Sequence, residues 1–126
     1  AAEAAQLGPR EAIANRLVED RVLPGFGHML YPDADPRAAA LLDRFAAPPD
    51  LQALREAVLA VTGLAPNVDF ALMAGCEALK LPKDAPFALF SVARCAGWIA
   101  HAVEQGQADT LIRPRARYIG PEPEFG

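Results

Sequence analysis

The sequence predicts an all-α fold with five helices, followed by an extended C-terminal tail. Helix-favouring residues, above all Ala, Leu, Arg and Glu, dominate the chain, and Pro, Gly and Asp interrupt it at intervals. Within each interval the apolar residues recur at a helical spacing. The two stretches with strand character, Val22-Leu23 and 117–119, are too short to form a sheet of their own.

The first two predicted helices each open beside a proline. The first runs over about 10–20 after Pro9, and the second opens at Asp35-Pro36 and stops at Pro48-Pro49. Asp accepts hydrogen bonds from the free amides of a first turn, and proline has no amide to lose at the first helical position. The residues predicted to face inward from these two helices are Ile13, Leu17, Val18, Ala39, Leu42 and Phe45.

The last three predicted helices have end signals of their own. The third spans about 50–62, with Asp50 as its N-cap and Gly63 as its stop. The fourth spans about 67–80 and the fifth, which is the longest and most apolar, about 84–105 before a glycine. The core residues predicted for the third helix are Leu51, Leu54, Val58, Leu59 and Val61.

Length and charge narrow the class of protein. A chain of 126 residues and 13.4 kDa is long enough for one domain, and we assign 1–106 to the helical domain and 107–126 to the tail. With 52% hydrophobic and 22% charged residues the composition is that of a globular protein. The net charge of −4 argues against a nucleic-acid binder or an anionic-membrane binder, since both need a broad cationic face.

The cysteine spacing indicates a reducing compartment, and the hydropathy pattern bears on membrane spans and signal peptides. Cys76 and Cys95 form no CxxC pair and fit small buried residues better than a disulfide. No apolar run approaches the roughly 18 residues of a membrane-spanning helix, and the amino terminus lacks the pattern of a signal peptide. We therefore expect a soluble cytoplasmic protein. Two histidines and two separated cysteines do not make a zinc site, so no metal is predicted.

The loop 22–35 contains the most distinctive residues of the chain. Gly25 and Gly27 flank Phe26 directly before His28, so the backbone can approach a ligand closely and a tight bend can present the imidazole. A neutral imidazole held in this way can donate to a carbonyl oxygen that gains negative charge. An ordinary turn carrying a polar side chain explains the same spacing, and the pattern alone leaves both interpretations open.

Several charged residues are candidates for chemistry. Asp69 falls in the first turn of the fourth helix, where the helix dipole stabilises negative charge; it is a candidate base, or an ordinary first-turn acid with Asn67 as the cap. Arg37 opposes the dipole of the second helix, and Arg94 interrupts the most apolar helix. Such guanidinium groups usually pair with a carboxylate of the protein or of a ligand. Arg113 belongs to a stripe of alternating basic residues. The alternative to a functional role is that this stripe is simply exposed to solvent.

Five short motifs follow one another along the chain: Pro24-Gly25-Phe26-Gly27-His28, Asp35-Pro36-Arg37, Pro66-Asn67-Val68-Asp69-Phe70, Arg94 with Gly97-Trp98-Ile99-Ala100-His101, and Ile112-Arg113-Pro114-Arg115. In this order and spacing they resemble the citrate synthase family, over about 10–120. The family is a mostly helical homodimer whose small domain closes over substrate against a large domain. The five predicted helices resemble that small domain, so the resemblance implies a fragment without the large domain.

The resemblance implies condensation of an acyl-CoA with oxaloacetate, followed by thioester hydrolysis. By resemblance, His28 would polarise the ketone of oxaloacetate and Asp69 would remove a proton from the acyl methyl group. Arg37 and Arg94 would bind the dicarboxylate, and Arg113 resembles an arginine that reaches the neighbouring subunit's site. No metal or prosthetic group is implied. The adenine end of coenzyme A would meet the backbone of Val22, Leu23, Gly25, Phe26 and Gly27.

Some family features have no counterpart in this sequence. The family stabilises the enolate with a second, upstream histidine, so the resemblance implies that the fragment alone is catalytically incomplete. Ala71-Leu72 replaces a frequent Tyr-Ser-Gly, and Pro32 follows Tyr31 where a basic residue is frequent. Acetyl-CoA and propionyl-CoA differ by one methylene, worth about 1 to 3 kcal/mol in an apolar pocket. A 2-methylcitrate synthase, a citryl-CoA lyase and a non-catalytic ligand-binding or assembly module therefore remain alternatives.

Overall fold

A computed structural model describes residues 6–19 and 22–108 of the chain. The named helices within these residues are α1 (Pro9–Val18), α2 (Pro36–Leu42), α3 (Pro49–Thr62), α4 (Val68–Ala78) and α5 (Ala85–Gln107). Across the same residues there is no strand, and the only β-type pairing is an isolated antiparallel bridge between Phe26 and Pro66. The all-α prediction is confirmed. The tail predicted for 107–126 lies outside the described residues from position 109 onward.

The hydrophobic core forms between two pairs of helices and the loop that precedes α2. Helix α1 packs against α3, and α2 packs against α4. Phe70, Leu51 and Val58 are the largest fully buried side chains, and burying an aliphatic or aromatic side chain of this kind contributes about 1.5–3 kcal/mol. The loop adds two buried residues of its own. The core cluster comprises Ile13, Leu23, Phe26, Leu51, Leu54, Val58, Phe70 and Ala74.

Helix α2 is shorter than predicted. It ends at Leu42, not at Pro48, because the chain tightens there: the Arg44 N–H donates to the Leu41 carbonyl, a three-residue turn that closes the helix. Phe45 lies beyond this end, yet its half-buried ring still packs against the core. The buried alanine of the helix is Ala38 (1% exposed), not the predicted Ala39.

The predicted core was too wide on α1 and α3. Leu17, Val18, Leu59 and Val61 are 46%, 87%, 50% and 55% exposed, respectively, because each helix is covered along one stripe only. The cap prediction for α3 was also wrong: Pro48 is the N-cap, without a side-chain cap bond, and Asp50 lies in the first turn. The predicted stop is confirmed, since the C-cap residue of α3 is a glycine in the left-handed conformation.

Helix α5 is longer and more exposed than the sequence suggested. It continues through Gly106 to Gln107, and Cys95, expected to be buried, is exposed, whereas Cys76 is buried. By length and composition alone α5 is long and apolar enough to cross a membrane, with a window of mean hydropathy 1.2 that is 0% buried. The prediction that no apolar run approaches the length of a membrane-spanning helix was therefore wrong; core helices of soluble proteins and signal sequences meet the same criterion. The chain divides into two compact units within this helix, Ala1–Arg94 and Cys95–Gly126.

Candidate functional site

The glycine loop before His28 lies directly against the start of α4. The Gly27 N–H donates to the Ala65 carbonyl (2.8 Å), and the Asn67 N–H donates to the Gly25 carbonyl (2.9 Å). Gly25 (φ +88°) and Gly27 (φ +72°) both adopt the left-handed conformation that glycine tolerates best. A Cβ at Gly25 would lie 3.2 Å from the Phe70 Cβ. A side chain at position 25 would be strained by this φ and would crowd Phe70, so glycine is the residue that suits this close approach.

Asn67 joins this loop to helix α4. Its side-chain oxygen accepts from the N–H groups of Asp69 (3.0 Å) and Phe70 (3.4 Å), which caps the helix. Its side-chain nitrogen donates to the carbonyl of Gly27 (3.0 Å), the residue before His28. One side chain thus fixes both the first turn that carries Asp69 and the loop that carries His28. The cap was one of the two sequence interpretations; the long-range bond had no sequence signal.

Asp35 is the most buried charged residue among those described, at 2% exposed. Its carboxylate accepts from the backbone N–H of Arg37 (3.0 Å) and from the Arg37 guanidinium through Nε and Nη2 (both 2.9 Å). Across 33 residues it also accepts from the Val68 N–H at the start of α4 (2.9 Å). These bonds, led by the one from the Arg37 side chain, lower the pKa of Asp35 to about 2, although desolvation opposes them.

His28 and Arg37 form the central contact of the site. The Nε2 atom of His28 lies 3.1 Å from Nη2 of Arg37, and Nδ1 of His28 accepts from the Leu30 N–H (3.1 Å). A neutral imidazole has one donor and one acceptor nitrogen. Among the described residues the Leu30 amide has no other acceptor, whereas Arg37 already has Asp35, so we assign the proton to Nε2. With this tautomer Nε2 of His28 and Nη2 of Arg37 are two donors 3.1 Å apart, and a ligand oxygen within hydrogen-bond distance of each would accept from both.

Tyr31 flanks both of these groups. Its ring centroid lies 4.9 Å from that of His28, and the Arg37 guanidinium lies 5.4 Å from the Tyr31 centroid, within range of a cation–π interaction. The Tyr31 ring thus lies beside both the imidazole and the guanidinium. In the sequence Tyr31 is distinctive only for the proline that follows it, because ring stacking within a loop has no periodic signal.

Asp69 lies within electrostatic range of Arg37. The pKa of Arg37 is raised, first by the hydrogen bond from its side chain to Asp35 and further by nearby charges that include Asp69. Asp69 is exposed, in the first turn of α4. The structure therefore links His28 to Arg37 and Arg37 to Asp35 by direct contacts, with Asp69 within electrostatic range of Arg37. The sequence had assigned Asp35 only as a helix cap.

The other sequence candidates are placed differently. Arg94 is exposed in the middle of α5, and no hydrogen bond or ion pair links it to His28, Arg37 or Asp69 in the part of the chain that the structure describes. Arg113 lies outside the described residues. Of the predicted coenzyme A loop, the side chains of Leu23 and Phe26 are buried in the core and Val22 is 81% exposed.

The structure offers little beyond this cluster for a cofactor. In residues 6–19 and 22–108 no group of three His, Cys, Asp or Glu side chains is arranged to hold a metal ion. A cavity of about 260 Å³ lies beside Asp35, with a mostly apolar wall; the candidate catalytic groups do not line it. Its lining residues are Ala34, Asp35, Ala39, Leu42, Asp43, Arg55, Leu59, Ala65 and Pro66.

Sequence comparison independently matches the chain with known proteins. Residues 2–115 match the family described as citrate synthase, C-terminal domain. Over 124 residues the chain is 37% identical to a citrate synthase of Haloferax volcanii, covering 90% of this chain and 33% of that protein. It is 38% identical over 120 residues to a protein named 2-methylcitrate synthase 2 from Corynebacterium glutamicum (87% and 31%) and 33% identical to citrate synthase 2 of Bacillus subtilis (87% and 32%). The chain thus spans about a third of the length of these curated relatives.

Proposed function

Because this chain belongs to the citrate synthase family, we propose that it supplies the oxaloacetate-binding and proton-abstracting residues of a condensation between an acyl-CoA and oxaloacetate. The observation that carries this proposal is the 3.1 Å contact between His28 Nε2 and Arg37 Nη2. With both nitrogens acting as donors, no acceptor separates them, and a ligand oxygen about 3 Å from each, at the apex of a triangle with the two nitrogens, would accept from both. Oxaloacetate offers a keto oxygen beside a carboxylate, which matches this donor pair.

In the proposed reaction His28 donates from Nε2 to the keto oxygen, which gains negative charge as the new carbon–carbon bond forms. A donor fixed in advance stabilises such charge without reorganisation cost. The Leu30 N–H supports this role because it holds Nδ1 as the acceptor nitrogen. Arg37 binds the adjoining carboxylate, and its side chain, 46% exposed, is accessible to a ligand.

Asp69 is the proposed base. The helix dipole stabilises its carboxylate in the first turn of α4, and Asn67 fixes that turn. A carboxylate is a weak base for a carbon acid, so it requires a second donor that stabilises the enolate in a site from which water is excluded. This chain spans a third of its relatives' length, and we propose that turnover requires groups beyond these 126 residues.

The proposal does not specify which acyl group the thioester carries. Relatives at similar identity are named citrate synthase and 2-methylcitrate synthase, and one methylene changes binding by only about 1 to 3 kcal/mol. Release of coenzyme A with oxaloacetate and either acetyl-CoA or propionyl-CoA, measured in the protein that contains this domain, would identify the substrate. Equal inactivity with both thioesters would instead support the non-catalytic binding module.

The test of the binding proposal uses the 126-residue chain and oxaloacetate. We expect oxaloacetate to perturb the ring signals of His28 in NMR spectra and to bind measurably by calorimetry. His28→Ala and Arg37→Ala should each weaken binding by about tenfold or more, because each removes a charge-assisted or oriented hydrogen bond. His101→Ala is the matched control, since His101 is an exposed histidine of α5. Binding that survives both site substitutions would contradict the proposal.

The remaining expectations from the resemblance stay predictions. Arg94 and Arg113 are proposed to complete the carboxylate site, and the backbone of 22–27 to receive the adenine of coenzyme A. The coenzyme A thioester is a substrate, with no resident cofactor. A homodimer is expected for the full-length enzyme, in the cytoplasm. Light scattering of the full-length protein over a range of concentrations would test the dimer.

A further inference from the structure

We infer that Asp35 is a positioning residue, which holds Arg37 in its ligand-binding geometry and fixes the start of helix α4 relative to the His28 loop. The inference rests on the proposed function. A capping carboxylate needs to accept only one backbone N–H. Asp35 accepts four hydrogen bonds from four different N–H groups, two of them from the Arg37 side chain.

The two carboxylate oxygens divide this task. Oδ1 accepts from the backbone N–H and from Nε of Arg37. Oδ2 accepts from Nη2 of Arg37 and from the backbone N–H of Val68. Oδ2 is therefore bonded both to the Arg37 atom that contacts His28 and to the first residue of α4. That residue, Val68, directly precedes the proposed base Asp69.

Burial makes this arrangement rigid. The side chain of Asp35 is 1% exposed and that of Arg37 is 46% exposed, so the carboxylate is fixed inside the protein while the guanidinium reaches the surface. A bidentate contact between carboxylate and guanidinium also restricts the plane of the guanidinium. Nη2, the atom 3.1 Å from His28, belongs to this pair. The position of the donor on Arg37 is therefore determined by Asp35.

Substitution can separate capping from positioning. Serine is a good N-cap, so Asp35→Ser keeps an acceptor for the first turn of α2 but cannot hold the guanidinium through two oxygens. Arg37→Lys leaves Asp35 in place and removes the planar fork. Asp33→Asn is the matched control: it removes one carboxylate from the same loop, at an exposed position.

The experiment measures three properties of the full 126-residue chain labelled with ¹⁵N: the thermal midpoint, the exchange protection of the Arg37 Nε–H signal, and the affinity for oxaloacetate. For Asp35→Ser we expect a lower midpoint, because the carboxylate's own stabilisation is lost while the cap of α2 is kept, together with loss of Nε–H protection and affinity weaker by about tenfold to a hundredfold. Asp33→Asn should match wild type in all three. In the Arg37→Lys background, Asp35→Ser should weaken binding little further, because Asp35 acts through Arg37.

Two results would overturn the inference. The first is Asp35→Ser binding oxaloacetate within about twofold of wild type, which would make Asp35 a cap only. The second is independent, additive losses for Asp35→Ser and Arg37→Lys. If wild type does not bind oxaloacetate, the proposed function fails, and the inference is then judged on the Nε–H signal: retained protection in Asp35→Ser overturns it, and lost protection supports it. If Asp35→Ser does not fold, wild-type affinity in Arg37→Lys overturns the inference.

Discussion

Gly25 and Phe70 approach each other so closely that a Cβ on the glycine would lie 3.2 Å from the Cβ of the phenylalanine. Gly25 also has φ +88°, which costs an L-residue about 1–2 kcal/mol. We therefore expect Gly25→Ala to lower the free energy of unfolding by about 3 kcal/mol, from strain and overpacking together. Urea denaturation measures this directly.

Gly63 provides the control for this substitution. It has φ +72°, yet nothing lies within 4 Å of its Cβ position, so Gly63→Ala should lose only the conformational part, about 1–2 kcal/mol. Equal losses at the two glycines would show that the contact between Gly25 and Phe70 contributes nothing to stability.

Asn67 should affect both the helix and the loop. Asn67→Ala removes the cap of α4 and the bond to the Gly27 carbonyl, and we expect a loss of about 1–2 kcal/mol in the free energy of unfolding. Asn67→Asp retains the cap oxygen but has no N–H for Gly27. It should therefore preserve amide exchange protection at Phe70 while the Gly27 region gains exchange. The same changes in exchange protection at Phe70 and near Gly27 in both variants would contradict this division of roles between the two side-chain atoms of Asn67.

Acid should destabilise the protein through Asp35. Its pKa of about 2 in the folded state lies below its ordinary value of 3.8, so folding favours the charged carboxylate. The resulting stabilisation, about 2 kcal/mol, is fully present above about pH 5, declines as the pH falls through 4, and is lost near pH 2. Unfolding free energies measured from pH 2 to 7 should show this slope in wild type and Asp33→Asn. The slope should be reduced in Asp35→Asn, and an unchanged slope there would contradict the assignment.

Local signals allowed the sequence to predict part of this site. The cap role of Asp35 follows from the proline after it. Asn67 was the cap of α4 in one of the two interpretations of Asp69, and both Asp35 and Asn67 are confirmed as caps. The glycines before His28 were predicted to let the backbone approach a ligand, which stays a prediction; within the protein, Gly25 lies close to Phe70 of α4 and Gly27 close to Leu64. Each of these features depends on a few neighbouring residues, whose propensities are visible in a single sequence.

The rest of the site depends on tertiary contacts. The bond from Val68 to Asp35 joins residues 33 apart, and no local pattern encodes it. The core was overestimated for the same reason: Leu59 has the same apolar character as Leu51, but only the neighbours of α3 decide which is covered. Arg94 interrupts an apolar helix, which suggested a buried ion pair or a ligand contact. The exposure of α5 in the described residues explains how a charge is tolerated there.

Gly75 offers a last test of packing, because a Cβ there would lie 2.9 Å from the ring of Phe45. In wild type, Gly75→Ala should cost about 1–3 kcal/mol of unfolding free energy, since the ring must move. In a Phe45→Ala background the same change should stabilise the protein by up to about 1 kcal/mol, because alanine is the better residue within a helix. Gly106 of α5 has no atom within 4 Å of its Cβ position, so Gly106→Ala should stabilise both backgrounds equally. A double-mutant cycle by urea denaturation measures the coupling, and a coupling of zero would show that Phe45 does not pack against Gly75 in solution.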